Sequence, residues 1–144
     1  MPPAPRTTAD RLHSAAIHLL RRLRTTDVET GLTAPRASVL SVLVFGGPAT
    51  LTALARVEQV RPPTMTRLIG QLEREGLVRR TADPSDRRLR WIHPTPRGRR
   101  LLHQGRRLRV GSLQAGIDRL SSSQQRNLER ALPVLESLAS PPSS

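Results

Sequence analysis

Proline placement divides this chain more firmly than any other feature, because proline fixes φ and removes a backbone donor. Of the 13 prolines, three fall in the first five residues and two in the last four. Both ends therefore read as frayed tails, residues 1–7 and 140–144. Two long proline-free windows remain, 6–34 and 97–132, and each has room for a long helix. In the first, Leu12, Ala16, Leu19, Leu20 and Leu23 recur at helical spacing. In the second, Leu101, Leu108 and Ala115 recur every seven residues, joined by Leu102, Leu113 and Ile117. Gly105, Gly111 and Gly116 weaken that helix by about 1 kcal/mol each relative to alanine, yet they let another helix approach closely. Ser121 and Gln124 then form a capping box ahead of the stripe Leu128, Leu132, Leu135 and Ala139. Pro133 lies inside that stripe and should kink the helix or end it early.

The middle of the chain is shorter in its elements and more punctuated. A helix starts at Thr33-Ala-Pro35, carries Val39, Leu40, Leu43 and Val44 on its apolar positions, and stops at Gly46-Gly-Pro48. Thr50 caps a short helix from Leu51 to about Glu58, and a three-residue turn follows. Pro62-Pro63 opens the next helix, where proline is well placed in the first turn, and Gly76 closes it. Leu77–Thr81 and Leu89–His93 read as two strands around a polar hairpin tip, Ala82–Arg88. No internal repeat is visible.

Composition excludes several classes. The chain has 144 residues, which suits one domain, and no cysteine, so there is no disulfide framework, thiolate metal site or thiol sensor. No apolar run approaches the roughly 18 residues needed to cross a bilayer. Met1-Pro-Pro-Ala-Pro-Arg6 has no apolar segment of a secretory signal, so a cytoplasmic protein with no membrane partner is expected. The four histidines, His13, His18, His93 and His103, are not spaced as a ligand set, and neither metal nor cofactor is expected. No nucleophile–base set or phosphate-binding glycine loop is present, which points away from an enzyme. Asp83 and Asp86 fit a turn and a wing better than a catalytic pair.

The charge is informative. Lys plus Arg number 24 against 11 acidic residues, for a formal net charge of +13, and every one of the 24 cations is arginine. That usage suits phosphate contacts and equally a GC-rich genome. Eleven of the arginines lie within residues 79–109 beside only Asp83 and Asp86, so +9 is concentrated next to a helix–turn–helix. In such a motif the second helix enters the major groove by its N-terminal end. Met65, Leu68, Ile69 and Leu72 must face the core, which leaves Arg61, Pro63, Thr64, Arg67 and Gln71 on the outer face. Arginine can hold guanine O6 and N7 with two bonds, and a threonine methyl can touch a thymine methyl. Arg87 and Arg88 at the hairpin tip suit a minor groove or flanking phosphates. Arg79, Arg80 and Arg90 in the strands are expected at phosphates as well.

Over roughly residues 8–139 the chain resembles the MarR-type winged helix–turn–helix regulators. The likeness is carried by Leu51-Thr-Ala-Leu-Ala55, Val60-Arg-Pro-Pro-Thr-Met-Thr-Arg67 and Leu72-Glu-Arg-Glu-Gly-Leu-Val78. The wing Asp83-Pro-Ser-Asp-Arg-Arg88 followed by Thr95-Pro-Arg-Gly98 is its most specific part. The resemblance implies a mainly α (α+β) fold forming a single domain over 8–139. Its winged helix–turn–helix lobe would span 33–96, and helices in 8–30 and 97–139 would form a dimerisation layer. It also implies a homodimeric repressor on a palindromic operator of double-stranded DNA, with repression commonly relieved by a small-molecule effector. By the same resemblance Pro63, Thr64 and Arg67 match groove-facing positions. Arg88 matches the residue that enters the minor groove, Asp86 the carboxylate that orients it, and Thr50 and Thr52 positions near the DNA backbone. Arg61 stands where a small polar cap is usual, Pro63 replaces a common serine, and Pro94 sits where the strand normally ends in leucine. By analogy alone His13, Ile17 and Phe45 would line an effector pocket. Trp91 either lines such a pocket or braces the wing. A nonspecific architectural, nucleoid-associated DNA binder is the alternative reading, and a winged helix that pairs with another protein is a third.

Overall fold

A computed structural model describes residues 6–140; the expected tails lie mostly outside them. Thr7 is not part of a tail. Its side chain accepts from the Asp10 amide while Asp10 bonds back to the Thr7 amide, and this capping box starts α1, Thr8–Arg24. Arg21, Arg22 and Arg24 in the last turn suit its negative end. The hydroxyls of Thr25 and Thr26 then bond back to the carbonyls of Arg22 and Leu23. The first proline-free window therefore holds two helices: α1 and a single turn, α2 (Asp27–Thr30), closed by Gly31 at φ +65°.

Proline in the first turn opens α3, Ala34–Gly46, which buries Val39, Leu40 and Leu43. A two-residue strand, β1 (Ala49–Thr50), follows; its length gives it no periodicity to read in the sequence. Next come α4 (Leu51–Val57) and α5 (Pro62–Arg74). Strands β2 (Val78–Ala82) and β3 (Arg90–Pro94) each start one residue later than their apolar runs suggest. The sheet is antiparallel with order β1-β3-β2, pairing both Thr50 and Thr81 with Trp91 across the central strand.

The turn from β3 into α6 (Pro96–Ile117) explains the Thr95-Pro-Arg-Gly98 pattern. The Thr95 hydroxyl donates to the Gly76 carbonyl at 2.6 Å and accepts from the Gly98 amide at 3.1 Å. A Cβ on Gly98 would run into the Leu77 carbonyl oxygen, so only glycine lets the helix lie this close to the strand. The chain divides into two compact units inside α6, one running through Arg109 and the other from Val110 onward.

The first unit holds the core: Leu32, Leu40, Leu54, Met65, Ile69, Leu72, Leu77, Ile92 and their neighbours are fully buried. Non-directional burial of this kind supplies most of the stability of such a lobe. On α1 no residue is buried. In the second unit, the Gln125 amide donates to the carbonyls of Ile117 and Leu120. The expected Ser121–Gln124 capping box opens α7, Ser122–Ala139. That helix runs through Pro133 to Ala139, so the proline does not end it. No residue of α7 is buried within the chain. Among the described residues no single helix is long and apolar enough to cross a membrane.

Candidate nucleic-acid interface

The helix–turn–helix is built from α4 and α5. The Thr50 hydroxyl oxygen caps α4 by accepting from the Ala53 amide at 3.2 Å, while Thr52 in its first turn is exposed. Thr50 is thus half-buried and already engaged as a helix cap. Between the helices, Gln59 takes φ +55°, a left-handed conformation that non-glycine residues seldom adopt. The Val60 amide closes the turn on the Ala55 carbonyl at 3.0 Å. A glycine would have marked this turn in the sequence; glutamine leaves no such sign.

Arg61 is the N-cap of α5, and its side chain makes no capping bond. Pro62 and Pro63 fill the first turn, where their missing amides would have had no helical partner. Met65, Ile69 and Leu72 are buried and Leu68 half-buried. On the opposite face Arg61, Pro63, Thr64, Arg67 and Gln71 are all exposed. Arg74, which the sequence reading passed over, is exposed further along the helix towards its C-terminal end. None of Arg61, Arg67 or Arg74 is in an ion pair among the described residues.

The hairpin between β2 and β3 is held by two carboxylates. Asp83 Oδ1 accepts from the amides of Ser85 and Asp86 at 2.8 and 2.9 Å, and its Oδ2 accepts from the Trp91 indole at 2.8 Å. The indole bond, with the two amides, holds the Asp83 carboxyl below its ordinary range. Trp91 therefore braces the wing. Asp86 accepts from the Arg88 backbone amide at 2.9 Å, so its contact with Arg88 is through the backbone. Arg90 reaches back to the Arg87 carbonyl at 2.7 Å. These bonds leave the side chains of Arg87 and Arg88 exposed at the tip and outside any ion pair among the described residues. Arg79 and Arg90 are exposed too. Arg80 is half-buried, and its Nε donates to Glu73 at 3.0 Å, tying β2 to α5.

The residues expected at an effector pocket are not brought together. Phe45 lines a hollow of about 480 Å³ with Leu20, Leu23, Leu102, Arg24 and Arg106. Its ring meets that of His103 edge-on, with centroids 6.1 Å apart. Ile17 lines a different, small hollow beside Leu20, and His13 lines neither. An ion pair at 3.2 Å between Asp27 and Arg109 closes one side of the larger hollow. Spacing on α1 gave no sign of these partners, because they come from α3 and α6.

Comparison with known proteins agrees with this geometry. Residues 32–89 match the model of the MarR family, a span that takes in α3 through the wing. An HTH-type transcriptional regulator of Mycobacterium tuberculosis is 32% identical over 130 residues, covering 90% of this chain and 91% of the relative. The crystal structure of RV1404 from Mycobacterium tuberculosis superposes with a TM-score of 0.80 at 23% identity, covering 98% of this chain and all of that one. A mutant of MepR from Staphylococcus aureus bound to an oligodeoxyribonucleotide superposes with a TM-score of 0.73 at 20% identity, covering 94% of this chain and 100% of that one. The fold is shared with both solved structures, and on the curated relative's identity and span this chain belongs to the MarR family of transcriptional regulators.

Proposed function

We propose that the chain is a sequence-specific repressor that binds double-stranded DNA as a homodimer on a palindromic operator. The observation that carries this reading is the outer face of α5. Arg61, Thr64 and Arg67 are exposed towards the end of the helix that enters a major groove, Gln71 is exposed further along the same face, and the side chain of none of them is engaged elsewhere in the described residues. The braced wing presents Arg87 and Arg88 beside it, suited to phosphates or a minor groove. Counterion release at these arginines supplies affinity, and α5 supplies selection among bases. The structural neighbour bound to an oligodeoxyribonucleotide supports DNA as the partner.

Dimerisation is supported by apolar surface that each unit leaves uncovered. In the first unit Ile17, Leu19 and Leu20 on α1 are exposed; in the second, Leu132, Val134 and Leu138 on α7 are. Such faces mark association surfaces. The hollow at Phe45 is the place for a small-molecule effector that relieves repression. The protein acts without catalysis, in the cytoplasm.

Selection of bound sites from a pool of random duplexes tests this reading. An inverted repeat with half-sites about 10 bp apart, centre to centre, is expected. A ratio near one between selected and random DNA would favour the architectural binder instead. Absence of affinity for either at physiological salt would favour a protein-pairing module. Repeating the selection with candidate ligands identifies an effector by loss of binding.

A further inference from the structure

Apolar burial holds α5 in place without fixing its direction closely, because hydrophobic contact has no preferred orientation. Met65, Ile69 and Leu72 are buried along its length, and polar bonds at its C-terminal end add a directional restraint. Glu75 is the C-cap of α5, and its carboxylate accepts from one terminal nitrogen of Arg36. The other terminal nitrogen of Arg36 donates to the Gly31 carbonyl at 2.9 Å. Arg36 lies in the first turn of α3, and its side chain is only 14% exposed. One guanidinium therefore joins the end of α2, the start of α3 and the end of α5.

Two features separate this contact from an ordinary surface ion pair. Among the described residues the Arg36 Nε is buried without a hydrogen-bond partner and Glu75 is the one carboxylate paired with this cation, which is largely removed from water. A planar guanidinium held by two acceptors is also a directional restraint that lysine or a surface pair does not provide. A second bond, Glu73 to Arg80, ties the last turn of α5 to the wing strand β2. The far end of α5 carries Arg61, Thr64 and Arg67, with no side-chain bond to the rest of the chain among the described residues.

The lever is long. A 13-residue helix spans roughly 20 Å, so a tilt of about 5° at the C-cap moves the N-terminal end by roughly 1.7 Å. Base contacts tolerate only about 0.5 Å of displacement.

We infer that Arg36 and Glu75, joined at the C-cap of α5, are positioning residues that set base discrimination by restraining the direction of α5. The inference rests on the DNA-reading role proposed for that helix. Loss of the pair lowers specificity without removing a phosphate contact. The same charges placed on the DNA-facing surface would act on affinity through salt.

The test compares the wild type with Arg36→Met, Arg36→Lys and Glu75→Gln, on the selected operator and on random duplex at several salt concentrations. Arg36→Met is expected to lower the operator-to-random affinity ratio about tenfold and to leave the salt slope on random DNA unchanged. Arg36→Lys, which keeps the charge but not the fork, should fall between that variant and the wild type. Glu75→Gln keeps the shape of a half-exposed side chain, so it carries the test if Arg36→Met does not fold. A wild-type ratio in the folded variants, or an equal loss on both DNAs, would overturn the inference. If the wild type itself shows no preference for any duplex, the DNA-reading role fails first, which is a separate result.

Discussion

The Trp91 indole donates to the carboxylate of Asp83 at 2.8 Å, while the other oxygen of that carboxylate gathers the amides of Ser85 and Asp86. One acidic side chain thus shapes the tip of the wing and anchors it to β3. The tip's two arginines gain a defined platform without being neutralised.

A pH dependence follows from that bond. The folded wing holds the Asp83 carboxyl below its ordinary range, chiefly through the indole bond. A depressed carboxyl contributes its stabilisation above the unfolded value and loses it as pH falls through the folded one. The wing bonds should therefore be intact at neutral pH and melt only in acid, below the usual aspartate range. The chain has a single tryptophan, so its indole N–H resonance reports the bond directly. Asp83→Asn should abolish the acid transition of that resonance; an unchanged transition would assign it to another group.

The two DNA-facing elements should fail differently. Arg88→Ala is expected to weaken operator and random duplex alike and to reduce the slope of log affinity against log salt by about one. Arg67→Ala should leave that slope nearly intact and relax base preference, at a cost of about 1–3 kcal/mol on the cognate site. Binding isotherms at several salt concentrations, with selection repeated on each variant, separate the two. Identical behaviour of both variants would contradict the division of labour.

Gly98 offers a stability test away from DNA. The added methyl of Gly98→Ala meets the Leu77 carbonyl oxygen, a backbone atom that has no side-chain freedom to yield. The expected loss is about 1–3 kcal/mol, read as a lower midpoint in thermal or denaturant unfolding. Gly111→Ala, where nothing lies near the new methyl, should be neutral or slightly stabilising by helix propensity.

Much of this arrangement was legible in the residues themselves. The spacing of Met65, Leu68, Ile69 and Leu72 assigned the inner face of α5 and thereby the outer one, because burial and helical period act together over thirteen residues. The Ser121 and Thr50 caps were legible for the same local reason. Long-range pairings were not. Arg36 carried no signal at all because Glu75 is 39 positions away. The partners of Phe45 were not legible either, because its cavity wall is assembled from α1, α3 and α6, and spacing within α1 says nothing of the other two. Gln59 shows the converse, a left-handed turn held by its context with a residue that does not favour it.

The exposed apolar face of α7 gives the last prediction. Leu138 is 67% exposed on its own chain, and α7 buries none of its residues within that chain. If a second copy covers it, each leucine contributes roughly 1.5–3 kcal/mol, and two-fold symmetry counts the contact twice. Leu138→Arg should then raise the dimer dissociation constant by about two to four orders of magnitude. Sedimentation at micromolar concentration tests this, with a dimer expected for the wild type and a monomer for the variant. Operator affinity should fall with it, because two half-sites are no longer bound by linked recognition helices. A variant that remains dimeric would place the interface on α1 instead, where Ile17→Arg is the corresponding test.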